Sequence, residues 1–478
     1  MTAGLVATAL LFGAGCATNP ATGKNQLNFY SEAQEIEMGR KADRQISAEM
    51  GVVDDSGLQR FVADLGQRLA AKSERPGLPW SFKVMDDPAV NAFALPGGFI
   101  YVTRGILGHM TSEAELASVL GHEIGHVTAQ HSMNQMSKAQ LVQGGLLAGV
   151  ILSPEVAQVA DLAGVGMQAL FLKYGRDDER QADDLGLRYM AIGGYETREM
   201  PKLFQLLDAV SSQAGAGRVP NWLASHPDPG SRADRARQRI AERQYPEGEV
   251  NARSYVERLD GLAFGADPRR GFFEGATFHH PDLAFSVRFP DGWKRANEPD
   301  RVVALHPDRI AMLQVKIAPG RTAREAADNF RRSTGASGGG TGPVEYDGLA
   351  AVRTDFSLAR QQGTPLVGTA YFLEHSGRVF EIVGFAPQER WEQARRELSA
   401  SLRSFSRLTD PELLAARPQR LEIVALPRAM TLAEFAERYP SDVPLATLAL
   451  INRVEGSTAV LAAGTPVKRV VGRKFGDG

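Results

Sequence analysis

The sequence predicts an α+β multidomain protein: a mainly α-helical first half with a small β-sheet edge, an α/β middle, and a small βααβ unit after it. Three observations lead there. The chain has 478 residues, 43% of them hydrophobic, more than one ordinary core accommodates. Its first half carries apolar residues at helical spacing, and from about Gly271 the texture changes to short strand-like runs. A linker over residues 410–418 then precedes a stretch that reads strand, helix, helix, strand. The expected divisions are residues 1–16, 17–255, 270–408 and 418–473. A formal net charge of −2 provides no large field for nucleic acid, so none is expected as a partner.

Residues 1–15 are apolar and small and end at Cys16, the only cysteine. A lone cysteine argues against a disulfide framework, and its place suggests lipid attachment. Asn91-Ala92-Phe93-Ala94-Leu95 and Phe99-Ile100-Tyr101-Val102-Thr103 flank Pro96-Gly97-Gly98 and read as a β-hairpin. Ser112 followed by Glu115 reads as a capping box, and Leu116, Val119, Leu120, Ile124 and Val127 then recur at helical spacing. On that helix stands His122-Glu123-Ile124-Gly125-His126. Positions i and i+4 share a face, so the two imidazoles can hold one metal ion, and Glu123 can reach a water on it. Zinc suits this ligand set, and the arrangement is the machinery of peptide hydrolysis.

A third protein ligand is required. His131 has neither the spacing nor the midway glycine of a metzincin third histidine. Glu179 and Asp183 suit better, being four apart on a helix with an acidic first half within residues 174–191. One of them can ligate while the other accepts a hydrogen bond from a ligand histidine. Between the motifs, residues 141–172 read as two apolar helices, a lid or cleft wall too short to span a membrane. Ser225-His226-Pro227-Asp228-Pro229-Gly230-Ser231-Arg232 reads as a proline-rich loop entering a basic helix.

Together with Glu179-Arg180-Gln181-Ala182-Asp183, these stretches resemble the HtpX-like and BepA-like zinc metalloproteases, relatives of the CAAX prenyl proteases, over about residues 30–250. The resemblance implies one zinc ion held by His122, His126 and Glu179, with Glu123 as the base and Asp183 behind the ligands. It implies that Asn91, Ala92, Phe93 and Ala94 border the cleft and pair with an extended substrate. It brings His226 close to the metal as a switch or transition-state donor, with Arg232 nearby, and either is a candidate to stabilise the oxyanion. Gly175 stands where the family usually has serine. HtpX-type relatives are integral membrane proteins, and the lack of such spans here implies the periplasmic branch. Residues 1–16 resemble a bacterial lipoprotein signal, with Gly13 where leucine is usual. That resemblance implies acylation of Cys16, and Ala17 after it implies sorting to the outer membrane.

The middle of the chain resembles a PsbP-like α/β sandwich opening with Phe289-Pro290-Asp291-Gly292-Trp293. Strands are expected at residues 284–289, 302–305, 312–317, 350–356, 366–373 and 379–385, and helices at 322–332 and 389–403. The glycine-rich residues 335–342 read as a turn or flexible connection, because no Lys-Ser/Thr follows to make a phosphate cradle. An adaptor or substrate-holding role is expected. Residues 418–473 resemble a LysM-type module on Thr431-Leu432, Asn452 and Gly464-Thr465-Pro466-Val467, which implies peptidoglycan as a partner. The expected function is zinc-dependent endopeptidase activity in the bacterial cell envelope, on misfolded or misassembled envelope and outer-membrane proteins. The alternative is an envelope chaperone or assembly scaffold that keeps the zinc fold with little proteolysis, and an intact Glu123 speaks against it.

Overall fold

The computed structural model describes residues 16–150, 174–213, 222, 225–226, 228–360 and 363–476. The leader-like residues 1–15 and most of the expected lid, residues 151–173, lie outside the described residues. The chain forms two compact units, one of Met1–Gly265 with Arg420–Val471, the other of Ala266–Gln419 with Gly472–Gly478.

The first unit opens with a hairpin, β1 (Cys16–Thr18) and β2 (Asn25–Leu27), then helices α1 (Glu32–Met50) and α2 (Ser56–Ala70). Side chains start both helices: Ser31 and Gln34 form a capping box, and Asp55 accepts from the amides of Gly57 and Leu58. Strands β3 (Ser81–Met85), β4 (Ala92–Leu95) and β5 (Phe99–Thr103) form a sheet in the order β3–β5–β4. The expected hairpin is β4–β5, antiparallel, with Gly97 and Gly98 of its turn at φ 77° and 96°. Glycine takes such values without strain. β3 joins β5 in parallel, so β3 and β4 are the two edges of the sheet.

Helix α3 (Arg104–His109) leads into α4 (Glu113–Thr128), which carries the histidine pair. Ser112 caps α4 by accepting from the Glu115 amide at 3.1 Å. The Glu115 carboxylate reaches the Thr111 amide at 2.6 Å instead of closing the box on Ser112. Residues 114–128 are buried without exception. There follow α5 (His131–Val150), α6 (Arg176–Ile192), α7 (Glu199–Gln213), α8 (Pro229–Arg243), α9 (Ala252–Arg258) and the short β6 (Ala263–Phe264). α4 and α6 lie close because small residues meet at their crossing. A Cβ on Gly121 would stand 3.2 Å from the Gly186 carbonyl oxygen, and one on Gly125 would stand 3.1 Å from the Ala182 Cα. Larger side chains would part the helices, so these positions set the distance between the histidines and the acidic motif.

In the second unit, β7 (Phe272–Glu274), β8 (Thr277–His280) and β9 (Phe285–Arg288) precede a larger sheet. Its strands are β10 (Lys294–Asn297), β11 (Arg301–Leu305), β12 (Met312–Ile317), β13 (Thr341–Tyr346), β14 (Leu349–Leu358), β15 (Leu366–His375) and β16 (Arg378–Pro387). They pair antiparallel in the order β10–β11–β12–β16–β15–β14–β13. Helix α10 (Ala323–Thr334) packs Ala323, Ala326 and Ala327 with Val352, Phe356 and Phe372. Helix α11 (Trp391–Ser401) packs Ala394 and Leu398 with Phe380, Ile382 and the smaller sheet's Phe278 and Phe285. β17 (Ser406–Arg407) completes that smaller sheet beside β9. Each expected strand and helix of this region is present. The differences are the added strands β7, β8, β10, β13 and β17, of which β13 takes up part of the glycine-rich stretch. Pro343 is tolerated there because β13 is the edge strand.

The chain then returns to the first unit as β18 (Gln419–Ala425), β19 (Met430–Thr431), α12 (Leu432–Arg438), α13 (Leu445–Asn452), β20 (Val460–Leu461) and β21 (Pro466–Val471). β18 lies between β21 and β6. Leu421, Phe435, Leu448, Val467 and Val470 join the same core as Leu116 and Leu120 of α4. Lys468 is fully buried, and its Nζ donates to the carbonyls of Gly108 at 2.9 Å and Met110 at 2.8 Å. Among the described residues, no helix is long and apolar enough to cross a membrane.

Candidate metal centre

The crossing of α4 and α6 brings the two sequence motifs face to face. His122 and His126 project from α4, Glu179 from the first turn of α6 and Asp183 from the next, and His226 comes from the turn before α8. One ligand atom each from His122, His126, Glu179 and His226 can be chosen so that all lie within 4.8 Å of one another. Four donors about 2.1 Å from one ion stand about 3.4 Å apart in a tetrahedron. His126 Nε2 is 3.0 Å from His122 Nε2 and 3.4 Å from Glu179 Oε1. His226 Nδ1 is 3.3 Å from His122 Nε2 and 2.9 Å from Glu179 Oε1. The spacing therefore fits a single small cation, and two neutral imidazoles with a carboxylate suit zinc.

Electrostatics agree with that use. Burial pushes His126 well below the ordinary histidine range, which keeps it in the neutral form a ligand needs. Burial alone would raise Glu179, but His226 and Arg232 hold it well below the carboxylate range. His226 is raised, since Glu179 and Glu123 outweigh the burial that opposes its charge. Glu123 is fully buried, and, with His226 Nε2 standing 3.6 Å from Oε1, neither carboxylate oxygen has a hydrogen-bond partner among the described residues. Burial raises its pKa. An unpartnered carboxylate is costly to bury, and beside a metal site its natural partner is the proton of a reacting water.

Asp183 stands behind the ligands, its Oδ1 3.0 Å from His122 Nδ1. Arg232 is 4% exposed and forks onto Asp183 at 2.9 and 2.6 Å, while its Nη1 forms an ion pair with Glu179 Oε2 at 2.7 Å. Its guanidinium also lies over the rings of Phe204 and Trp222 at 4.4 and 4.8 Å. The structure thus engages Arg232 with the two carboxylates. Asn91 and the β4 residues Ala92, Phe93 and Ala94 are at the sheet edge, and β4 packs against α4. Cys16 opens β1, opposite Leu27.

Three neighbours of the site carried no role in the sequence reading. Trp222 stacks on His226 with ring centroids 4.7 Å apart. Its spacing from His226 is helical, the one hint available. Tyr174 stacks on His126 at 3.9 Å and shares a hydrogen bond with the Ser132 hydroxyl at 2.9 Å. His131, set aside as a ligand, lies 2.9 Å from His126 through their Nδ1 atoms.

Residues 57–240 match the model of Peptidase family M48. The beta-barrel assembly-enhancing protease of Yersinia pestis is 32% identical over 246 residues, 49% of this chain and 50% of the relative. The mitochondrial metalloendopeptidase OMA1 of Arabidopsis thaliana is 35% identical over 189 residues, 39% of this chain and 36% of the relative. The chain spans about half the length of the beta-barrel assembly-enhancing proteases it matches. Among solved structures, cyanobacterial PsbP from Synechocystis sp. PCC 6803 aligns with 28% of this chain and 94% of its own, at 13% identity and a TM-score of 0.25, a likeness too slight to bear on the fold.

Proposed function

From a Peptidase family M48 domain over residues 57–240, we propose that the chain is a zinc metalloendopeptidase of the bacterial cell envelope. On this reading it works in the periplasm, anchored to the outer membrane through acylated Cys16, and cleaves misfolded or misassembled outer-membrane proteins. The observation that carries the catalytic part is Glu123, a buried carboxylate with no hydrogen-bond partner among the described residues, beside four converging metal donors. The names of the assembly-enhancing relatives support the substrate class.

Bound zinc supplies a Lewis acid that polarises the scissile carbonyl and acidifies the attacking water. Glu123 takes the proton of that water and delivers it to the leaving amine. Burial, which raises its pKa, makes the carboxylate the stronger base for the first of these transfers. His122, His126 and Glu179 hold the ion, while Asp183 and Arg232 keep His122 and Glu179 in place. His226 either closes the site as a fourth donor or, protonated and displaced, steadies the oxyanion. His226→Ala separates these roles: higher activity marks closure, lower activity marks assistance. An extended substrate adds beside residues 91–94 by main-chain pairing. Residues 270–408 hold substrate, and residues 418–473 are a candidate peptidoglycan contact, tested by co-sedimentation with purified sacculi.

The second reading is an envelope chaperone or scaffold, for which a carboxylate poised beside the metal has no purpose. Incubation of an unfolded outer-membrane protein with the wild type and with Glu123→Gln tests the choice. Cleavage by the wild type alone is expected; equal loss of substrate with both would remove the catalytic reading.

A further inference from the structure

The outer nitrogen of a metal-binding histidine governs whether that ring can bind at all, because its proton and partner set the tautomer and the aim of the other nitrogen. In His122 the outer nitrogen is Nδ1, 3.0 Å from the Asp183 carboxylate. In His126 it faces no carboxylate among the described residues. Its Nδ1 is 2.9 Å from Nδ1 of His131, and His131 Nε2 is 3.0 Å from Gln181 Oε1. His131 is 3% exposed, and Asp178 Oδ1, 3.8 Å from His131 Nε2, is beyond hydrogen-bond range.

Once His126 offers its Nε2 lone pair to a metal, the protons along this line have one arrangement. His126 keeps its proton on Nδ1 and donates it to the Nδ1 lone pair of His131. His131 then carries its own proton on Nε2 and donates it to Gln181 Oε1, which only accepts. The other tautomer of His131 would set two N–H groups head to head across 2.9 Å.

We propose that His131 is a positioning residue of the metal centre: it fixes His126 in its Nδ1–H tautomer and aims Nε2 at the ion, and Gln181 holds His131 in turn. This rests on the metal-binding reading of the site. It gives α6 a double task, since Asp183 supports His122 directly while Gln181 supports His126 through His131. The two supports differ in charge. A carboxylate stands behind His122, and a neutral ring behind His126 adds no further negative charge to a pocket already holding Glu123, Glu179 and Asp183.

The test is zinc affinity of the full chain, measured by competition with a fluorescent zinc chelator, together with the melting temperature of the metal-free protein. His131→Phe removes the acceptor and is expected to weaken zinc binding about 10- to 100-fold. His131→Asn, whose carboxamide oxygen stands near the place of Nδ1, is expected to recover most of that loss. Gln181→Leu, which frees the His131 tautomer while leaving the ring in place, is expected to weaken binding several-fold and serves if His131→Phe does not fold. Wild-type affinity in all three variants overturns the proposal. So does an equal loss in His131→Phe and His131→Asn that tracks a lower metal-free melting temperature, which is the mark of packing alone. A wild type that binds no zinc removes the metal reading itself, and is told apart because the variants then have nothing to lose.

Discussion

Glu123 and Arg232 are both buried and both ionisable, and they answer to different demands. Among the described residues the Glu123 carboxylate makes no hydrogen bond that an amide would forfeit. Glu123→Gln is therefore expected to lower peptide hydrolysis on the order of 10²–10⁴-fold while zinc content and melting temperature stay near wild type. Cleavage assays and metal analysis on one preparation check this. Arg232 is the counterweight of Asp183 and Glu179. Arg232→Met leaves both carboxylates uncompensated and is expected to cost about 3–5 kcal/mol in a denaturant titration. Arg232→Lys is expected to recover little, because an ammonium cannot fork onto Asp183 or stack between Phe204 and Trp222.

Among the elements, α4 and α6 decide the geometry, and their contact is made of absences of side chain. Gly125→Val would put a branched group where even a Cβ comes within 3.1 Å of Ala182. The expected result is a loss of about 1–3 kcal/mol and weaker zinc binding, read by thermal melts with and without metal. These helices were legible in the sequence, because Ser112, the apolar spacing and the two motifs all act locally. The β4–β5 hairpin was legible for the same reason, through its Pro-Gly-Gly turn. What escaped notice depends on tertiary placement. β13 is hidden by Gly342 and Pro343, which only an edge position tolerates. Tyr174 reaches His126 from a distant stretch of chain, and although His131 and Trp222 stand close in sequence to His126 and His226, spacing alone does not say which side chains turn toward the donors. The return of residues 420–471 to the first core is likewise invisible to periodicity, which reports which face of an element is apolar and not what it meets.

For the molecule as a whole, the first unit is discontinuous, with its sheet β21–β18–β6 built from both ends of a long excursion. Deleting residues 420–471 is expected to lower the melting temperature of the remaining first unit and to speed its digestion by an added protease. Lys468 supplies a pH test of the same junction. Burial moves its pKa from 10.5 to about 7, opposed by Glu115 and reinforced by Arg453. Between these values the unfolded chain holds a proton that the folded chain has released, so this contribution to stability grows as pH rises from about 7 toward 10.5 and is lost as pH falls through 7. Lys468→Met is expected to remove that component from melting curves collected from pH 7 to 10. The same lysine bears on timing. It lies 360 positions beyond Gly108, the carbonyl it caps. A ribosome therefore releases His122, His126, Glu179 and His226 long before it releases the strand that carries Lys468. A nascent or truncated chain can own every candidate metal donor and still lack part of the first unit's core, so that core closes only after residues 420–471 have been delivered.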